Sequence, residues 1–162
     1  MNTTDLHVFP LSSGKHAGRS SRRLPDDLAC RREIENLSMV EQRCSTSKRK
    51  DWMYDYLRDV LALYQDWRRT GSAKAMSRAL IESCHLAIRK GSHPLRVIIE
   101  ATSQLTDKKI KSRWSRALEE AAAHDIKPER LSDYLKERGG IAACAAAAAQ
   151  RKPKKRTTLI WE

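Results

Sequence analysis

The sequence predicts an all-α fold, an irregular bundle of about six or seven helices with disordered basic termini. Three observations point there. Gly and Pro number only 6 and 5 in 162 residues, while Ala, Leu, Arg, Lys and Glu, all good helix formers, are common. Apolar residues recur at spacings of three and four through the middle of the chain, the period of a helix with one buried face. No stretch alternates apolar and polar residues as a half-buried strand does, and Val97–Ile99 is too short to argue for a sheet.

The elements follow in order. Residues 1–24 are rich in Ser, Gly, Arg and His without a sustained period, which reads as disorder. Pro25, with Asp26 and Asp27, opens a helix to about Gln42, since proline and acids suit a first turn. Cys30, Ile34, Leu37 and Cys44 fall near one face of it, and Glu41 interrupts them. From Arg49 to Arg69 the pattern is clearest: Met53, Leu57, Val60, Tyr64 and Trp67 form a stripe that Trp52, Tyr56, Leu61 and Leu63 widen. Gly71 ends that helix and Ser72 caps the next, Ala73 to Lys90, with Met76, Leu80, Cys84, Ala87 and Ile88 inward. After Gly91, Ser92 and Pro94 start a shorter helix with Leu95, Ile98 and Ile99. Thr106 caps the following one, which buries Ile110, Trp114, Ala117, Leu118 and Ala121 and sets Lys108, Lys111, Arg113 and Arg116 on the opposite face. Pro128 and Glu129 open a short helix with Leu131, Tyr134 and Leu135 inward, and Gly139 and Gly140 break it. Ile141 to about Arg151 is alanine-rich and helical by propensity, and Pro153 stops it. The organisation is thus a basic segment 1–24, a helical domain 25–150 and a basic tail 151–162. The core should centre on Leu57, Val60, Tyr64, Leu80, Ile98, Ile99, Trp114, Leu118, Leu131 and Leu135.

The formal net charge is +12, with a pI near 9.9, so the chain attracts polyanions. The surplus is densest at the ends. Lys15, Arg19, Arg22 and Arg23 stand against Asp5 alone, and Arg151, Lys152, Lys154, Lys155 and Arg156 against Glu162 alone. The bland reading of such a surplus is a solubilising surface. Four scattered cysteines make no disulfide framework. No secretory leader pattern and no membrane-length apolar run is visible, so the cytoplasm of a bacterium or a nucleoid-associated location is expected, and composition leaves a eukaryotic nucleus open.

Catalytic and metal chemistry find little support. Cys84, His85 and His93 lack the paired spacing of a zinc site. Ser45 with Lys48, and Ser12 with Lys15, make S-x-x-K pairs without the motifs that accompany a nucleophile. His124–Asp125 falls at a helix end, where a histidine serves the helix dipole, and Gly14–Lys15 lacks the rest of a phosphate loop. No catalytic, cofactor-binding or metal-binding set is expected.

The C-terminal third offers a helical hairpin, Leu131 to Gln150 across Gly139, with the outline of a helix-turn-helix. Its second helix holds only Gln150, Arg151 and Lys152, near its end, as side chains able to read bases. The other reading of the hairpin is core packing. The stretch RWSRALEEAAAHDIKPERLSDYLKERGGIAACA, Arg113–Ala145, resembles a segment of small uncharacterised proteins encoded on plasmids and symbiosis-related mobile regions of rhizobia and their relatives. The likeness covers about a fifth of the chain and rests on RWSRAL and GGIAACA. It implies a bacterial cytoplasmic setting in a mobile-element context and carries no activity or site.

The leading expectation is therefore a non-enzymatic, nucleic-acid-associated accessory or regulatory protein that contacts phosphates through Lys108, Lys111, Arg113, Arg116, Arg151, Lys152, Lys154, Lys155 and Arg156. The alternative is a protein-interaction adaptor or homo-oligomer built on the wide aromatic stripe of residues 52–67.

Overall fold

A computed structural model describes residues 27–46, 51–89, 91–105 and 107–151. Segment 1–24, Pro25, Lys48, Thr106 and the tail residues Lys152, Lys154, Lys155, Arg156 and Trp161 lie outside the described residues, as do the side chains of Cys30 and Cys44. The fold is all-α. Among the described residues there are seven α-helices and no strand: α1 (Asp27–Thr46), α2 (Trp52–Arg69), α3 (Ala73–Ser83), α4 (Pro94–Thr102), α5 (Lys108–Ala123), α6 (Leu131–Glu137) and α7 (Ile141–Arg151). A single 3-10 turn at Pro128–Arg130 leads into α6. None of these helices is long and apolar enough to cross a membrane.

The shortest of the early helices organises the rest. In α4, Leu95, Val97, Ile98 and Ile99 are all fully buried, and the helix touches α1, α2, α3 and α5. A helix apolar on nearly all sides is stable only inside other helices. Around it α2 contributes Tyr56, Leu57, Val60 and Leu61, and α5 contributes Trp114, Ala117 and Leu118. All but one of the expected core residues are buried; Tyr64 is the exception, half-buried against the His93 ring at 5.2 Å.

Four helices reverse direction by one device. The residue after the C-cap takes a left-handed conformation, and two backbone N–H groups fold back on the last turn. After α2, Gly71 (φ 69°) donates to Arg68 O and Ser72 to Trp67 O. After α6, Gly139 (φ 86°) donates to Lys136 O and Gly140 to Leu135 O. After α3 and α5 the same position holds His85 (φ 47°) and Asp125 (φ 50°). This corrects the expected helix to Lys90: α3 stops at Ser83 because the chain turns left-handed at His85. Cys84, expected inward as part of that longer helix, is exposed at its end. A side chain in this conformation costs about 1–2 kcal/mol, part of which glycine gives back in chain entropy. His85→Gly should therefore raise unfolding stability by about 0.5–1 kcal/mol, read as a higher urea midpoint at unchanged m-value.

Helix starts also differ in detail. Asp107 is the N-cap of α5: its carboxylate accepts from the backbone N–H of Lys109 (2.7 Å) and Ile110 (3.4 Å). At α4, His93 Nδ1 accepts from Leu95 N–H at 3.2 Å. That backbone service, and the ring of Tyr64, account for a histidine that looks from sequence like a surface residue.

Candidate nucleic-acid interface

The four cations expected along α5 do not share a face. Lys111 lies on the apolar stripe itself, one turn before Trp114 and Ser115, and is buried. Its Nζ donates to Glu100 Oε2 and to the Ser103 carbonyl, both at 3.0 Å. An ammonium so enclosed and so bonded is not available to a phosphate, which corrects its placement among the outward cations. Arg113 and Arg116 are exposed, and with Lys109 they stand at i, i+4 and i+7, a stripe along one side. They form no ion pair with a described residue. Lys108 lies off that stripe, at the edge of a cavity described below.

Arg151 also departs from expectation. It closes α7, and its Nη2 donates to Glu120 Oε1 at 3.0 Å, while the same oxygen lies 3.1 Å from His124 Nε2. Glu120 is 2% exposed, so its charge must be matched from within the fold. Arg151 is thus the clamp that joins α7 to α5. The His124 ring stacks at an angle on Tyr134, centroids 6.1 Å apart, and the Arg138 guanidinium covers the same tyrosine. Burial pushes the Tyr134 phenol and the Cys144 thiol above their ordinary ranges, so both stay protonated near neutrality.

The hairpin α6–α7 packs as core. α7 lies chiefly on α5 and buries Cys144, Ala145 and Ala148, while α5 buries Ala117, Ala121 and Ala122. Its outer positions are Ala142, Ala143, Ala146 and Ala149, with Gln150 and the paired Arg151 at the end. Alanine offers no donor or acceptor to a base edge.

A denser cluster of cations lies where the sequence gives no local sign of one. Two hollows border the chain between α3 and α4. One, of about 930 Å³, is bounded by Lys74 and Arg78 of α3, with Glu82, His93 and Pro94. The other, of about 350 Å³, is bounded by Arg89, Arg96, Glu100 and Lys108. Ile88 and Ser92 belong to both walls, so the two hollows adjoin. Glu100 pairs with one of these cations, Arg96, through one oxygen and with Lys111 through the other, while Arg89 and Lys108 form no ion pair with a described residue. Lys74, Arg78 and Arg89 are exposed and form no ion pair with a described residue. Separations of 4, 11, 7 and 12 residues along the chain hide this grouping from any sequence window, and only the fold brings it together.

Among the described residues no group of three or more His, Cys, Asp and Glu is placed to hold a metal ion. Ser45 Oγ donates to the Gln42 carbonyl within its own helix. The Tyr56 phenol, pushed upward by burial, gives its proton to Thr102 Oγ1 at 2.7 Å, because the Thr102 hydroxyl hydrogen is used on the Ile98 carbonyl. Comparison with protein-family models, with curated proteins and with solved structures finds no match for this chain.

Proposed function

We propose that this chain is a non-enzymatic, nucleic-acid-associated accessory or regulatory protein that binds the phosphate backbone. The observation that carries the reading is the basic region around the α3–α4 link, where Lys74, Arg78, Arg89, Arg96 and Lys108 gather on a chain of net charge +12. Lys109, Arg113 and Arg116 extend the positive surface along α5. Contacts of this kind release counterions and are largely indifferent to sequence. The alanine face of α7 argues against base reading by the hairpin. A bacterial cytoplasmic setting accords with the resemblance of Arg113–Ala145 to rhizobial mobile-region proteins.

The adaptor reading rested on an aromatic stripe too wide for one small core. That stripe is used internally: Tyr56 and Trp67 are buried, and Trp52 packs edge-on to Trp114 at 6.1 Å. Among the described residues Met39 is the large apolar side chain left exposed.

Duplex binding measured by fluorescence anisotropy between low and moderate salt tests the proposal. The logarithm of affinity should fall linearly with the logarithm of salt, by about 0.9 per phosphate contacted. The triple change Lys74→Glu, Arg78→Glu, Arg89→Glu should lower affinity at least tenfold and flatten the slope by about 2–3. Absence of binding at low ionic strength, or a triple variant that binds like the parent, would overturn it.

A further inference from the structure

The geometry points to the smaller hollow as a pocket for a single phosphate group, held by Arg89, Arg96 and Lys108. The inference deepens the backbone-binding reading, on which the biological source of the phosphate rests, while the site itself is argued from its own chemistry.

The pocket draws one cation from each of three elements: Arg89 from the link, Arg96 from α4 and Lys108 from the first turn of α5. Both the N–H and the hydroxyl of Ser92 donate to the Arg89 carbonyl, at 3.1 and 2.7 Å. The acid in the wall, Glu100, is already satisfied on both oxygens, by Arg96 Nη2 and Lys111 Nζ. It therefore orients the Arg96 guanidinium without being free to repel an anion. The other terminal nitrogen, Arg96 Nη1, is buried and makes no hydrogen bond with a described residue. A buried charged donor left without an acceptor costs stability, and a small rotation of the guanidinium toward an oxyanion in the hollow would relieve that cost. The remaining wall, Leu86, Ala87 and Ile88, is apolar and strengthens attraction across the pocket. At about 350 Å³ the hollow is near the small end of ligand sites, roughly 300–1,000 Å³. Arg89 and Lys108, which form no ion pair with a described residue, together with the second terminal nitrogen of Arg96, suit a group with several charged oxygens better than a lone carboxylate. The phosphate comes either from a nucleic-acid backbone or from free phosphate and its small esters.

The test is an NMR titration of the ¹⁵N-labelled full chain with inorganic phosphate, with sodium chloride matched in ionic strength as the control. Saturable shifts confined to Arg89, Ser92, Arg96 and Lys108 are expected with phosphate and not with chloride. The pair Arg89→Ala, Lys108→Ala should weaken phosphate at least tenfold; Arg89 and Lys108 are exposed, so folding is retained. Arg96→Lys, which keeps the charge and loses the second terminal nitrogen, should do the same, whereas Arg113→Ala, away from the pocket, should not. Equal shifts with chloride, or phosphate affinity unchanged in the Arg89/Lys108 variant, would overturn the pocket. A labelled duplex separates the sources: displacement of the duplex by phosphate, with the same residues shifted by both, assigns the site to backbone phosphate, and phosphate binding with the duplex undisturbed assigns it to free phosphate. Phosphate binding with no duplex binding at low salt would sink the nucleic-acid reading and leave the pocket. Salt-dependent duplex binding without saturable phosphate shifts would do the reverse.

Discussion

Trp114→Ala should lower unfolding stability by about 3–5 kcal/mol, among the largest losses from any single truncation in this chain. The side chain is 4% exposed and stands where α5 meets α2. Its ring lies edge-on to Trp52, with centroids 6.1 Å apart and planes at 80°, and tilted against Tyr56 at 5.7 Å. Truncation removes a large buried area and also both aromatic contacts, each worth about 0.5–1.5 kcal/mol beyond burial. The hole cannot close easily, because Tyr56 is anchored through its hydroxyl to Thr102 on α4. Trp114→Phe keeps a ring in place and should recover more than half of the loss. Urea unfolding followed by far-ultraviolet circular dichroism is the suitable measurement, since the chain has four tryptophans and the substitution removes one of them. A loss below about 1 kcal/mol would mean that the three rings do not form a packed unit.

Glu100→Ala should cost about 3 kcal/mol, the lower end of the range for breaking a buried ion pair, because Glu100 retains 20% exposure. The damage falls on the partner. Lys111, with its side chain 9% exposed, would keep the Ser103 carbonyl and lose its counter-charge. The penalty is that of a charge left in a poor solvent rather than that of one hydrogen bond. Glu100→Gln preserves shape and an acceptor and should cost less. Removing both charges, as in Glu100→Leu with Lys111→Met, should restore most of the stability, since well-packed apolar residues often equal a buried pair. A double-mutant cycle by urea denaturation reads the coupling directly. Additive single effects would show that the two side chains do not depend on each other.

Helix number and order were legible because each helix carries its own apolar stripe and most ends carry their own punctuation. Gly71, Gly139 and Gly140 announced their turns. His85 and Asp125 signal theirs only faintly, since His and Asp enter the left-handed region more often than most side chains but far less often than glycine, and so the apolar pattern carries α3 past its true end and places Cys84 inward. The charged residues misled in a related way. Lys111 and Glu120 both occupy buried positions of their helices. Hydropathy sends such residues outward, and only a partner such as Glu100 or Arg151, far away in sequence, justifies keeping them inside. The basic cluster was invisible for the same reason: Lys74, Arg78, Arg89, Arg96 and Lys108 come from four successive elements and meet only after folding.

The seam between α5 and α7 has a thermodynamic consequence. Side chains that stop at Cβ surrender almost no rotational freedom on docking, so closing this joint is entropically cheap. They also hide little oily area, so the joint has little to keep it shut beyond Arg151 and Glu120. The last helix is therefore built to exchange its amide hydrogens through partial opening, ahead of the rest of the molecule.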